Sequence, residues 1–209
     1  ASDARIWPVG VPGTEFGVKR FKRRKRGGIT AEFTHGEAEL LCNLAAQIIE
    51  LLRDRHGEIE SDADPPSLFM PLSGAPLPPE APVLIRLLPN AYRDNDVDAA
   101  EFRRYTEQAL TDAKVENGKA IIQALYDSGY DDDPEQRGKI EVELDDENAL
   151  AWLKALTDIR LALAIRLGIE TEDDMIRLEQ DASPEDRQGL DLYEWLGVVQ
   201  ETLVEAVSR

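Results

Sequence analysis

Seven of the eight residues from Lys19 to Arg26 are basic. Lys19, Arg20, Lys22, Arg23, Arg24, Lys25 and Arg26 surround the single Phe21, in a chain of formal net charge −18. Neighbouring like charges repel by on the order of a kcal/mol per pair before salt screens them. Such a run needs acids of its own chain, an anionic partner, or full solvation. Against phosphates it would release counterions and bind nucleic acid without reading sequence. Against an acidic protein face it would form a docking surface. As an edge strand it would be solvated, or paired with Glu32, Glu141 or the acids at Asp131–Asp133. No helix-turn-helix, zinc-finger or RNA-recognition signature accompanies the run, and the acidic body repels nucleic acid. A protein partner is the first expectation and nucleic acid the alternative.

Other reactive side chains are sparse. Cys42 is the one cysteine, so these residues form no internal disulfide. A redox role would require an exposed, activated thiol with a resolving partner, whereas Cys42 falls on an apolar helical stripe, the ordinary setting of an inert thiol. Arg160 falls on the stripe Leu153–Leu156–Arg160–Leu163–Leu167. A buried arginine there would need a carboxylate, with Asp112, Asp158 and Glu201 as candidates for a structural ion pair. His35 and His56 have no Cys, His or Glu partner at metal-ligand spacing. The acidic segment Asp127–Gly138 misses the calcium-loop pattern, with Gly129 and Pro134 in the wrong places. There is no phosphate-cradling glycine loop, zinc-protease helix or nucleophile elbow. The expectation is a protein without catalytic residues, metal or cofactor.

The elements that must position these residues follow from periodicity. Val18–Arg24 and Ile29–Phe33 flank Gly27-Gly28, which predicts a hairpin; if Phe21 points inward, the basic residues crowd an exposed face or edge. Thr34 and Glu37 have capping-box spacing, and an apolar stripe from Ala38 to Leu52 predicts a helix that ends near Gly57. Residues 58–82 hold seven prolines and no helical period, the pattern of an insertion. Short helices are expected at Val83–Leu88 and from Asn95 or Asp96 to Tyr105. A separate helix is expected over Leu110–Tyr126, with Leu110, Ala113, Asn117, Ala120, Ile121, Ala124 and Leu125 on its stripe. Lys139–Leu144 alternates as a strand. Asp145 or Asp146 caps a strongly apolar helix to Leu167, with Gly168 stopping it. An acidic segment, Glu172–Glu179, and a last helix over Leu190–Val207 follow, with Tyr193, Trp195 and Leu196 either core or a partner anchor. The fold class is mainly α: a bundle of four to six helices with a small three-stranded antiparallel sheet at one end. Residues 1–17 read as a flexible arm and 18–209 as one helical domain. No apolar run reaches membrane-spanning length, and the compartment expected is the cytoplasm.

Several segments in order resemble the actinobacterial oxidative-stress regulator AosR family. They are Arg23-Arg24-Lys25-Arg26 through Glu37-Ala38-Glu39-Leu40-Leu41; Leu87-Leu88-Pro89-Asn90-Ala91-Tyr92-Arg93; Glu101-Phe102-Arg103-Arg104; Asp112-Ala113-Lys114; Ala151 to Leu163; and Tyr193-Glu194-Trp195-Leu196 with Leu203-Val204. The resemblance implies a cytoplasmic, non-enzymatic regulator that contacts the transcription machinery, such as a stress sigma factor. It also implies redox switching through a pair of N-terminal cysteines, which this sequence lacks.

Overall fold

The structure, a computed structural model, describes residues 21–25, 27–62, 79–92, 95–131 and 138–209. The expected arm at residues 1–17 and the middle of the Pro-rich insertion lie outside the described residues. In chain order the elements are β1 (Lys22–Arg23), β2 (Ile29–Thr34), α1 (His35–Asp62), α2 (Pro82–Leu87), α3 (Asp96–Asp127), β3 (Lys139–Leu144), α4 (Asp146–Leu167), α5 (Glu172–Asp181) and α6 (Pro184–Val207). The expected class holds: among the described residues there are six helices and a three-stranded antiparallel sheet of order β1-β2-β3.

The sheet obeys its alternation. Ile29, Ala31 and Phe33 of β2 lie opposite Leu144, Val142 and Ile140 of β3, and all six are buried. The outer face pairs Glu32 with Glu141, a like-charged cross-strand contact that would be unfavourable alone. Lys139 relieves it from one side, its Nζ 2.6 Å from Glu32 Oε1, and Arg24 bonds Glu141 from the other. Gly27 and Gly28 turn the hairpin with φ of 92° and 79°, the left-handed conformation that favours glycine. Residues 18–20 of the expected first strand lie outside the described residues; at its described start the Phe21 amide donates to Thr202 Oγ1 of α6 at 3.3 Å.

Helix α1 begins with the expected capping box. Thr34 N donates to Glu37 Oε2 at 2.7 Å, and Glu37 N donates to Thr34 Oγ1 at 3.3 Å. Gly57 does not end it: the helix continues to Asp62, so the insertion's first residues are helical. One helical glycine costs about 1 kcal/mol against alanine, too little to force a stop.

The two helices expected between Asn95 and Tyr126 are one. Asn95 caps α3, its side chain accepting from Val97 N and Asp98 N. The stripe through Leu110 and Ala113 is corrected, since both are exposed. The buried positions of that half recur every four residues as Ala99, Arg103, Glu107 and Thr111, a largely polar face. Farther along, Ile121 and Leu125 are buried as expected.

Helix α4 packs against α1, α2, α3, α6 and β3. Its Asp145 cap accepts from Asn148 N at 2.7 Å, and Gly168 closes it at φ 68°. Helix α6 starts at Pro184, a turn and more before Leu190, because Ser183 caps it and proline suits the first helical position. Phe21, Phe33 and the fully buried Trp152 form a three-ring cluster that joins sheet to bundle, with centroids 5.8 to 6.0 Å apart. No helix among the described residues is long and apolar enough to cross a membrane.

Candidate functional site

The basic hairpin is held to the body at two points. Phe21 fills the aromatic cluster on one side. On the other, Arg23 donates from Nη2 to Asp146 Oδ1 at 2.7 Å and from Nε to the Ala206 carbonyl at 3.0 Å. Arg24 bonds Glu141 and lies 3.5 Å from Glu143 Oε2. Gly28 makes room for this arrangement, since a Cβ there would come 3.0 Å from Glu143 Oε1.

The run is therefore not a uniformly free cationic face. Arg23 and Arg24 are neutralised by acids of their own chain, Glu141 being one the sequence offered. Lys22 and Lys25 are exposed, and among the described residues neither forms an ion pair. Lys19, Arg20 and Arg26 lie outside the described residues. The two arginine pairs are themselves solvent-accessible, so each is worth only about 0–1 kcal/mol and is open to exchange.

The other candidates fall in the body. Cys42 is 8% exposed on the core side of α1, which removes the access that redox chemistry needs. Arg160 meets no carboxylate among the described residues, which corrects the expected ion pair. Its Nη1 donates to Gln200 Oε1 at 2.8 Å, and the guanidinium lies over the Tyr193 ring, 4.8 Å from the centroid. A neutral amide and an aromatic face accept the half-buried cation without desolvating a second charge. Trp195 and Leu196 are buried and Tyr193 half-buried, so this trio is core.

Three polar contacts went unseen in the sequence. Arg55 of α1 meets Glu107 of α3 at 3.1 Å, both buried. Arg103 of α3 bonds Asn90. Lys114 of α3 meets Asp158 of α4 at 2.6 Å. Burial raises the Asp158 carboxyl above its ordinary range, outweighing the lowering by the Lys114 ammonium. For Arg103 and Glu107 the available signal is the four-residue recurrence from Ala99 to Thr111, which an apolar period does not reveal because most of its positions are polar. Exposed large apolar side chains also concentrate here: Ile85, Tyr92, Val97, Phe102, Tyr105 and Leu110.

These observations define a class: a helical domain capped by a small sheet, with a charged hairpin pinned across its end. The family described as "Domain of unknown function (DUF2017)" matches residues 18–207. The oxidative stress regulators AosR of Mycobacterium bovis and Mycobacterium tuberculosis strain H37Rv are each 31% identical over 210 residues, covering 90% of this chain and 87% of theirs. An AosR relative from Mycobacterium leprae is 30% identical over 188 residues, covering 82% of this chain and 78% of its own. The chain belongs to this family, as its ordered segments implied. No solved structure matches it.

Proposed function

We propose that the chain is a non-enzymatic regulator of the oxidative-stress response that acts by protein–protein contact with the transcription machinery. A stress sigma factor is the partner class. The relatives' names support the regulatory role. The contact surface is the hairpin Lys19–Arg26. The observation that carries this reading is its mounting: Phe21 and Arg23 fix the ribbon to the core, while Lys22 and Lys25 project without acids of their own. Arg24 adds charge by exchanging its exposed pairs for a partner's carboxylates. Buried Cys42 offers no accessible switch, so the chain supplies the contact step rather than peroxide sensing by this thiol.

The test is fluorescence anisotropy of the purified chain with a labelled stress sigma factor. Lys22→Ser with Lys25→Ser should leave folding intact and weaken binding several-fold, with the larger loss at low salt. Unchanged affinity would reject the hairpin as the contact. A steep salt slope on duplex DNA that exceeds any protein binding would favour the nucleic-acid alternative.

A further inference from the structure

We propose that the cleft between α3, β3 and the start of α4 binds an extended basic segment of a protein partner as a fourth strand of the sheet. This surface meets the hairpin where Arg24 lies on Glu141 and Glu143 but is of opposite polarity, so it goes beyond the reading above.

The cleft encloses about 930 Å³. One wall is α3 from Glu116 to Asp127 with its C-cap Ser128, the other is α4 from Glu147 to Lys154, and Glu141, Glu143 and Leu144 of β3 line it between them. Among the described residues, strand β3 is the last strand of the sheet and pairs only with β2. Half of its amides and carbonyls point away from β2, the template that an added strand uses. Among the described residues no backbone hydrogen bond outside the sheet reaches them. The far edge of the sheet is different: β1 is covered by α6 through the Phe21 amide and the Arg23 guanidinium. Natural proteins usually block a free edge. Here the side chains along it are acids, which repel a second acidic strand and accept a basic one.

Charge and shape choose the occupant. Glu116, Asp127, Glu141, Glu143 and Glu147 line the cleft. Against them stand Lys119 and Lys154, and Lys119 is already held by Glu116 at 2.6 Å. Arg24 lies on Glu141 and Glu143 from the hairpin side, so this acidic pair already holds one guanidinium. The walls also carry small apolar residues, Ala120, Ala124 and Ala151, with Leu150 half exposed beside them. Side chains of an added strand alternate between two faces. The matching ligand therefore alternates small apolar with basic residues, apolar toward the alanines and basic toward the carboxylates.

The experiment measures anisotropy of a labelled eight-residue peptide of alternating Arg and Val added to the full chain. The comparison peptides are the same sequence N-methylated at alternate residues, and one with Glu replacing Arg. The comparison proteins are A151W, which fills the cleft, and the surface double variant D127K/E147K, which keeps the fold testable should A151W not fold. Binding of the Arg-Val peptide that weakens at least about tenfold on N-methylation, and similarly in A151W or D127K/E147K, is the expected result. Equal binding of the N-methylated peptide would reduce the contact to unspecific charge and overturn the fourth strand. Equal binding of the Glu peptide, or no binding of the Arg-Val peptide, would overturn it as well. A dimer of the chain that A151W or D127K/E147K dissociates would assign the cleft to a second copy and overturn the proposed occupant.

Discussion

Replacing Phe21 with alanine removes the clamp between the hairpin and the bundle. The ring is 5% exposed and makes edge-on contacts with Phe33 and Trp152, at centroid distances of 6.0 and 5.8 Å. Deleting a buried phenylalanine costs about 3–5 kcal/mol, of which each edge-to-face pair supplies about 0.5–1.5. Phe21 stands at the sheet's edge, where the site relaxes more than a central cavity, so the lower end applies: about 3 kcal/mol. For a chain of this size that is a drop of roughly 6–12 °C in Tm. Phe21→Leu keeps most of the apolar area and loses the ring contacts, for about 1.5 kcal/mol. Urea denaturation followed by tryptophan fluorescence reads both, because Trp152 is one of the contacting rings. The ordering alanine below leucine below wild type is the expected result. A loss under about 1 kcal/mol for alanine, or equal losses for the two variants, would refute the claim that packing of this ring holds the basic ribbon.

Three further outcomes follow from the same contacts. Glu107→Ala should cost about 1.5–3 kcal/mol by urea titration, because it removes the buried carboxylate that lies 3.1 Å from Arg55 Nε. Gly168→Ala should cost about 1 kcal/mol in thermal melts, since the residue caps α4 at φ 68°, a conformation costly for any side chain. Asp158 predicts a pH dependence of definite sign. Its folded pKa lies above 3.8, so folding takes up a proton between those two values. That contribution is fully present below 3.8 and is lost as pH rises through the folded pKa. Asp158→Asn should therefore remove a component of stability that grows on acidification, visible when the urea midpoints of both proteins are compared across that range.

What the sequence disclosed depended on whether a local rule had one solution. Strand β3 was legible to the residue because Ile140, Val142 and Leu144 alternate with charged neighbours and an aspartate cap follows at once. The entry to α1 was legible because Thr34 and Glu37 satisfy each other. Helix α3 was not, because its N-terminal half buries Arg103, Glu107 and Thr111 while exposing Phe102, Tyr105 and Leu110. A helix inverted in this way defeats an apolar count and reveals itself only once its partners are placed. The partners of the basic run were half legible. Glu141 was foreseeable from strand pairing, whereas Asp146 becomes a neighbour of Arg23 only when α4 starts beside the hairpin. Arg160 misled for a related reason: a search for its carboxylate overlooks an amide and a ring on the facing helix.

The proposed regulatory contact runs through a cationic ribbon fixed to the end of an acidic bundle. Hydrogen–deuterium exchange of the chain, alone and saturated with purified stress sigma factor, tests it most directly. Slowed exchange at Lys22, Lys25 and the adjoining β2 amides, relieved by raised salt, is the predicted footprint. A footprint confined to the exposed face of α3 around Phe102 and Tyr105, with the hairpin unchanged, would contradict it.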